Sequence, residues 1–592
     1  MSLLAGAVIF RPPGRSQALA RNLATRAAAT GALRMTLLHD SDWLTLYQLT
    51  RPVEGAHPAL LPHAEGKPAW LVGDVSYATA QSMRSVHAAP PSTPQAALDV
   101  PGRWHYVEAD TEAQRLRIAS DMLGTMFLYM GRRPDGFVFA NDFAAVAACL
   151  AATPSIDLDT CVLELAMGSV PDDRTVFREI SLAPAGACIE FSADGMRTVW
   201  RLAMEYGDRH QGLPDTRKFE LMDEIYASAV ERQLRPFGER LYVSFSAGYD
   251  SRYALAFGRR GGIKMGLATF GHPRSTEVLD AQRVCARIAT SSEVYPAAEA
   301  DWRQWRSMVR MLGGTRVMQW SGWALSWGEF LAQRARNVVH GLMGDAASGR
   351  RVQFYNGTDD WLRSWLAKFA VWDLAAPEHA PRVVRREAAR RLAEVAFQRY
   401  QEGCAGASFA APFQRGCHLN WYGRQRRHSA GQINVMQRFV TPVTFHLDPR
   451  LLDFWRNVAW DDLLQQRLYL AYACARFPEL FRAGDLPGAR PTLTDRMREK
   501  LRRALATFHG EDTLGQRPPV LSPARVLCSN KSAILELIDR AGPFADEILD
   551  LAVMREAVAL HGGPQALPNE HLMPAVHLLL VLETAAEAGS TP

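Results

Sequence analysis

The sequence predicts a mixed α/β protein with a β-rich N-terminal part and a later part built on a parallel sheet. The chain has 592 residues, and single hydrophobic cores stop growing at about 250 to 300 residues, so two large domains are expected. Over roughly the first 200 residues, short apolar runs alternate with turn residues, which is typical of strands. After residue 214, helical patterns alternate with short apolar runs, as in a parallel sheet.

The composition is that of a folded protein, with 48% hydrophobic and 22% charged residues. The net charge of +5 is mild and suggests anionic ligands, without the clustered basic stripe of nucleic-acid-binding proteins. No run approaches the roughly 20 apolar residues of a membrane helix. The apolar start, 1–10, lacks a basic segment and leads into Arg11, so we interpret it as a strand rather than a signal peptide. We therefore expect a cytoplasmic protein with neither nucleic-acid nor membrane partners.

The positions of the cysteines and the small number of lysines restrict the kinds of site that the chain can form. The eight cysteines form no C-x-x-C pair and have no histidine at ligand spacing, so we expect neither a zinc site nor a disulfide framework. Lysines are scarce among the 67 basic residues, which limits any lysine-dependent step. They are Lys67, Lys218, Lys264, Lys368, Lys500 and Lys531.

The strands of the first domain are expected at short apolar runs bounded by turn residues. A further apolar run, 143–150, contains Cys149, which we interpret as a core residue. The expected strands are 6–10, 43–49, 69–75, 115–120, 126–131 and 137–140.

The most informative stretch is Leu241-Tyr-Val-Ser-Phe-Ser-Ala-Gly-Tyr-Asp-Ser251. Its apolar start predicts a buried strand, and the residues after Asp250 predict a helix. Unpaired N–H groups at a helix N-terminus favour an anion, Gly248 permits close approach, and the hydroxyls of Ser246 and Ser251 can donate hydrogen bonds. Phosphate is the expected ligand, although the lysine of the G-x-x-x-x-G-K-[ST] loop is missing.

Two aspartates follow predicted parallel strands. Asp250 follows the first strand, a second strand is expected at 263–270, and Asp345 follows a third strand at 337–341. Ligands of open α/β sheets bind beyond the carboxyl ends of the strands, and Mg²⁺ takes one or two carboxylates plus phosphate oxygens. We therefore predict that Asp250 and Asp345 hold magnesium. Each aspartate alone could instead cap a turn.

Both aspartate segments resemble motifs of the asparagine synthetase family. Ser246-Ala-Gly-Tyr-Asp-Ser251 is similar to the family's S-G-G-x-D-S pyrophosphate loop, with Ala247 where glycine is usual. The segment 341–349 resembles its G-x-G-A-D-E-x-x-G-G motif, with Ala346 in place of the acidic residue. The resemblance spans most of the chain, because further stretches match at 116–130, 136–142, 174–186, 421–427, 438–450 and 522–531.

The resemblance implies two domains. Residues 1–205 would form a degenerate Ntn-glutaminase-like sandwich domain. Residues 206–592 would form an ATP-binding synthetase domain, with an adenine-nucleotide α-hydrolase-like parallel sheet and added helices. In that family ATP, bound with Mg²⁺, is split between its α and β phosphates.

The resemblance also implies roles for single residues. Lys531 matches a lysine that steadies the α-phosphate as pyrophosphate leaves, although Ser529 replaces the family's arginine, and Lys500 is the rival. Fixed cations at developing negative charge are often the largest catalytic contribution. The expected catalytic residues are Lys531, Asp250 and Asp345. The nucleotide site is expected to contain Val243, Ser244, Ser246, Ala247, Gly248, Asp250, Ser251, Thr269, Gly341, Gly344 and Lys531.

The source of the amine follows from the N-terminus. Glutamine-using members of the family carry an N-terminal cysteine, whereas here Met1 is followed by Ser2 and the first cysteine is Cys149. We therefore expect no glutamine hydrolysis, and an amine that is free ammonia or part of the substrate. This combination resembles the β-lactam synthetases and the lasso peptide cyclases, which join a peptide's N-terminal amine to an Asp or Glu side chain. We favour the cyclase, with a precursor peptide as substrate and the leader-peptide protease as a second partner.

Other interpretations remain open at this stage. The alternatives are an ammonia-dependent asparagine synthetase, a β-lactam-synthetase-like amide synthetase and a non-catalytic peptide-binding protein with a decayed site. A tryptophan-rich interval suits either a peptide-binding wall or a helix core. Its members are Trp302, Trp305, Trp320, Trp323 and Trp327.

Overall fold

The computed structural model describes most of the chain. The described residues are 2–10, 15–29, 31–51, 59–61, 67–74, 93–237, 241–273, 275–296, 302–313, 324–354, 361–374, 376–482, 523–561 and 569–589.

The N-terminal part contains two six-stranded sheets in which all paired strands are antiparallel. Their strand orders are β10-β8-β9-β1-β3-β2 and β12-β11-β7-β6-β5-β4. Apolar side chains from both sheets, such as Leu46 and Ile118, share one buried cluster, so the sheets form two packed layers. The strands are β1 Ser2–Ile9, β2 Arg34–Asp40, β3 Leu44–Thr50, β4 Ala59–Leu61, β5 Ala69–Asp74, β6 Arg103–Asp110, β7 Arg115–Ser120, β8 Tyr129–Arg133, β9 Gly136–Ala140, β10 Ile180–Leu182, β11 Ala187–Ser192 and β12 Gly195–Arg201.

A five-stranded sheet with only parallel pairs follows, in the order β16-β15-β14-β17-β19. The chain moves outward from β14 in one direction and then returns to add β17 and β19 on the other side. The order therefore reverses between β14 and β17, and such switch points hold the ligands of open α/β sheets. A separate parallel pair joins β13 to β18. The strands are β13 Met204–Tyr206, β14 Leu241–Ser244, β15 Met265–Phe270, β16 Glu293–Tyr295, β17 Asn337–Val339, β18 Ala407–Phe409 and β19 Thr441–Val443.

Helices cover the parallel sheet and connect it to the N-terminal part. The last helix, Asn569–Gly589, lies against the helices Phe143–Ala148 and Trp302–Leu312. Within the described ranges, no helix combines the length and the apolar character needed to cross a membrane. The α-helices are Ser16–Ala29, Phe143–Ala148, Leu158–Met167, Asp215–Ala229, Tyr249–Arg260, Thr276–Arg287, Trp302–Leu312, Ala324–Ala332, Gly344–Ala347, Trp361–Phe369, Arg386–Glu402, Phe413–Leu419, Ala430–Met436, Pro449–Arg456, Trp460–Leu463, Arg467–Arg476, Pro523–Ser529, Lys531–Arg540, Pro543–Ile548, Leu551–Leu560 and Asn569–Gly589, and two π-helices span Val230–Leu234 and Asn420–Ser429.

The prediction of a mixed α/β protein, with a β-rich N-terminal part and a later parallel sheet, is confirmed. Each run predicted as a strand overlaps an observed strand, and the helix predicted around Asp250 is present as Tyr249–Arg260. The predicted strand at 126–131 begins only at Tyr129. The division at residue 205 stays a prediction, and that residue lies inside β13, whose partner β18 belongs to the later part.

Candidate functional site

Asp250 and Asp345 meet at the switch point of the parallel sheet. Asp250 lies in the first turn of the helix that follows β14, and Asp345 lies in the first turn of the short helix that follows β17. The main-chain N–H of Asp345 donates a hydrogen bond to Asp250 Oδ2 at 2.9 Å. Both residues line an open cleft of about 460 Å³. The close approach follows from the topology, because neighbouring parallel strands end at the same edge of the sheet.

Two glycines permit this approach. A Cβ on Gly344 would lie 2.6 Å from Asp250 Cγ, and a Cβ on Gly341 would lie 2.8 Å from Asp250 Cβ. Any side chain at either position would therefore push the second segment away from Asp250. The role that the structure gives these glycines is steric.

The carboxylate of Asp250 sits in an environment that disfavours its charge. Burial raises the pKa of Asp250 well above its usual value, and the neighbouring Asp345 carboxylate raises it further. The Asp345 N–H, the Tyr469 hydroxyl at 3.0 Å and the nearby Arg350 guanidinium act in the opposite direction. A cation bound between the two aspartates would relieve this repulsion.

Asp345 is more accessible, with its side chain 28% exposed. Arg350 Nη1 donates to Asp345 Oδ2 at 2.7 Å, and the Arg350 side chain is 63% exposed. No group of three or more His, Cys, Asp or Glu side chains gathers around a possible metal position in the described parts of the chain. A pair of carboxylates beside a helix N-terminus nevertheless fits Mg²⁺, which completes its coordination with water and the phosphate oxygens of a ligand.

The loop before Asp250 adopts an unusual backbone. Ala247 has φ +56°, a left-handed conformation that costs a non-glycine residue about 1–2 kcal/mol. This explains why a glycine suits the position where the sequence has Ala247. Met343, before the Asp345 helix, is also left-handed, at φ +80°. Backbone strain of this kind gathers at functional sites, and here it precedes both aspartates.

The hydroxyls of the loop make short-range hydrogen bonds. Ser246 Oγ accepts from the N–H of Gly248 at 3.2 Å, and Ser251 Oγ donates to the Gly248 carbonyl at 2.9 Å. Gly248 is the N-cap of the helix Tyr249–Arg260, so the positive end of the helix dipole points into the cleft. Such a helix start is suited to a phosphate.

Seven of the predicted residues line the cleft: Ser244, Ser246, Gly248, Asp250, Ser251, Gly341 and Asp345. Val243, Ala247, Thr269, Gly344 and Lys531 are not among the lining residues. Thr269 is fully buried, and its hydroxyl bonds to the Phe245 carbonyl and to Ser292 Oγ. It thereby joins the ends of β14 and β15.

Lys531 does not join the other site residues. Its ammonium donates to the carbonyls of Ala559 at 2.7 Å and His561 at 3.2 Å. These carbonyls lie at the end of the helix Leu551–Leu560, where a cation is favourable. The rival Lys500 lies outside the described residues.

Arginines supply positive charge to the cleft instead. Arg350, Arg351 and Arg424 all line it. Sequence reasoning missed them because the chain is rich in arginine, and clustered arginines usually mark solvated helix faces. Their positions could have identified them. Arg350 and Arg351 directly follow the segment 341–349 that resembles the family motif, and Arg424 lies in the matching stretch 421–427.

Two of the three described tryptophans of the tryptophan-rich interval belong to the core, and the third, Trp302, is partly buried and packs edge-on against Trp305. Trp305 and Trp327 are 1% and 0% exposed, and Trp327 packs on Phe270 and Phe330. These two side chains therefore belong to the helix core rather than to a peptide-binding wall. Trp320 and Trp323 lie outside the described residues.

The described cysteines of the N-terminal part are poor nucleophiles. Burial raises the pKa of Cys149 to about 11 and the pKa of Cys188 to about 12, and it also raises the pKa of Cys161. A thiol with such a pKa is protonated at neutral pH, and the thiolate is the nucleophile. The interpretation of Cys149 as a core residue agrees with its 2% exposure.

Comparisons with known proteins add little. No protein-family model and no curated protein matches the chain. Among the solved structures that match is one described as the allosteric regulatory enzyme of purine biosynthesis, with 9% identity and a TM-score of 0.23. The match covers 52% of this chain and 78% of the other. A likeness at this level carries no conclusion about fold or activity.

Proposed function

We propose that this chain forms amide bonds with ATP by converting a carboxylate into an acyl-adenylate. The observation that carries the proposal is the meeting of Asp250 and Asp345 at the switch point, beside a Ser/Gly loop that caps a helix N-terminus. This arrangement pairs a phosphate-binding element with two carboxylates for its metal ion. The proposal includes a degenerate glutaminase-like domain at 1–205 and an ATP-binding synthetase domain at 206–592.

The residues of the cleft have distinct roles in this proposal. The helix N-terminus and the hydroxyls of Ser246 and Ser251 bind the β and γ phosphates, and Asp250 and Asp345 hold Mg²⁺. When bound, the ion neutralises phosphate charge and orients the leaving group. Arg350 and Arg424 supply the fixed positive charge that stabilises the departing pyrophosphate.

The proposed reaction has two balanced steps. An oxygen of the substrate carboxylate bonds to the α-phosphorus of ATP, and the bond to the bridging oxygen breaks, so that pyrophosphate leaves with the electron pair. The substrate amine then bonds to the activated carbonyl carbon, AMP leaves with the electron pair of its bond, and the nitrogen loses a proton to solvent. The product is one amide, together with AMP and pyrophosphate.

The most specific form of the proposal is macrolactam closure in a lasso precursor peptide, between its N-terminal amine and an Asp or Glu side chain. The support is the family resemblance together with the buried, high-pKa cysteines of the N-terminal part, because those thiols are unsuited to releasing ammonia from glutamine. The leader-peptide protease is the second proposed partner.

The test is an assay of the purified protein with ATP, Mg²⁺ and a candidate peptide. We expect AMP, pyrophosphate and a peptide product lighter by one water, and we expect Asp250→Asn and Asp345→Asn to abolish all three. Asp453→Asn is the matched control for Asp345→Asn, because both residues are partly exposed, arginine-paired aspartates. Full turnover in both site variants would contradict the metal assignment, and asparagine formed from aspartate and ammonia would favour the synthetase alternative.

A non-catalytic peptide-binding protein is the second candidate. Among the side chains that the structure describes, no lysine lines the cleft, and Lys531 is bonded to the carbonyls of another helix. Calorimetric titration with Mg·ATP separates the two candidates. The enzyme proposal expects saturable binding, and absence of binding would favour the non-catalytic protein.

A further inference from the structure

One wall of the cleft has an unusual backbone. Residues 420–438, here called the cleft wall, contain the ten-residue π-helix Asn420–Ser429 and the helix Ala430–Met436. Four residues of the cleft wall line the same cleft as the Asp250 loop: Arg424, Gln425, Ser429 and Gln432. Runs of π-helix are rare and occur often at functional sites. Hydrogen bonds to the N-terminal part hold this segment in place.

Arg426 binds the cleft wall to the N-terminal part of the chain. Its guanidinium donates to the carbonyls of Gly124 at 3.2 Å and Ala183 at 2.7 Å, and to Asp173 Oδ1 at 2.6 Å. The Arg426 side chain is only 3% exposed. All three acceptors lie in the first 205 residues, so one planar group fixes the wall against three points of the other part.

Asn434 makes a second attachment, one helix further along. Its side-chain amide donates to the Thr125 carbonyl at 2.9 Å, and its oxygen accepts from the N–H of Phe127 at 3.0 Å and from Arg103 at 2.8 Å. Arg427 and Arg438 of the wall reach further main-chain carbonyls of the same part. Main-chain acceptors anchor firmly, because moving them requires the surrounding structure to move.

The cleft wall also contacts the segment that carries Asp345. Trp421 Nε1 donates to the Ala346 carbonyl at 3.3 Å, and the Trp421 side chain is 1% exposed. The π-helix Asn420–Ser429 therefore connects the N-terminal part, which Arg426 contacts, with the residue next to Asp345, which Trp421 contacts.

We propose that the first 205 residues serve to position the cleft, and that Arg426 and Asn434 are positioning residues for Arg424 and Asp345. The N-terminal part has a structural function in ligand binding even though its described cysteines are not nucleophiles. The proposal rests on the proposed function only for the choice of Mg·ATP as the probe.

The test uses two substitutions of equal chemistry. Arg426→Lys keeps the charge but cannot reach three acceptors at once, and Arg399→Lys is its matched control. Arg399 is 4% exposed and also joins the later part to the first, through Asp172 at 2.7 Å, but it lies outside the cleft wall. We expect Arg426→Lys to weaken Mg·ATP binding on the order of tenfold and Arg399→Lys to leave the Kd within about twofold of wild type.

Hydrogen exchange provides a readout that needs no nucleotide. Arg426→Lys and Trp421→Phe, which removes the N–H to Ala346 together with part of the buried indole ring, should both speed exchange of the amides of 344–350, while Arg399→Lys should not. Equal exchange and equal Kd in Arg426→Lys and Arg399→Lys would overturn the proposal. If the wild-type protein binds no Mg·ATP, the proposed function fails, and the exchange of 344–350 alone decides the positioning role.

Discussion

Gly344→Ala tests the contact on which the site is built. The added Cβ would lie 2.6 Å from Asp250 Cγ, and ordinary contacts begin at 3.4 Å, so the Asp250 carboxyl group or one of the two segments must shift by up to about 0.8 Å. Overpacking of this kind costs typically about 1–3 kcal/mol of stability. A displacement near 1 Å in a catalytic group can lower the rate about 100-fold. We therefore expect a large loss of activity with a modest loss of stability.

The assay compares Gly344→Ala with Gly542→Ala. No atom lies within 4 Å of a Cβ placed on Gly542, and that residue caps a helix outside the cleft. Pyrophosphate release and thermal unfolding are measured for both variants and the wild type. If Asp250 is misplaced, the activity of Gly344→Ala should fall about 100-fold. Activity within about threefold of wild type would refute the inference that Asp250 must contact this segment.

Substitutions of Asp250, Ala247 and Lys531 test the environments that the structure gives these side chains. The pKa of Asp250 is higher in the folded state than in the unfolded state, where it is about 4. Ionisation of Asp250 therefore lowers the free energy of unfolding as the pH rises above about 4. Asp250→Asn should remove this pH-dependent loss, measured by thermal unfolding, and should abolish turnover. Ala247→Gly should change the free energy of unfolding by less than about 1 kcal/mol in denaturant titrations, because relief of the left-handed strain offsets the added chain entropy. Ala247→Val should lower the free energy of unfolding by more than Ala247→Gly changes it. Lys531→Ala should cost about 0.3–1 kcal/mol of stability as a lost helix-end contact with unchanged turnover; loss of turnover would restore its catalytic role.

The meeting of the two aspartates could be predicted from sequence, because parallel strands end at one edge of a sheet whatever their order. The β-rich N-terminal part could also be predicted, because its strands appear in the sequence as short apolar runs between turn residues. The left-handed φ of Ala247 could not be predicted, because an alanine in the sequence gives no indication of a left-handed backbone. The environment of Lys531 depends on how the last helices pack, and local pattern does not encode that packing. The same limit applies to Trp327, whose spacing fitted a pocket wall and a helix core equally.

We propose that ATP is cleaved between its α and β phosphates in the cleft that Asp250 and Asp345 line. The most direct measurement follows the nucleotide products of the purified protein with Mg·ATP and a candidate peptide. We expect AMP and pyrophosphate in equal amounts, and we expect the formation of both to require Asp250 and Asp345. Formation of ADP and phosphate, or AMP formation that persists when both aspartates are replaced by asparagine, would contradict it.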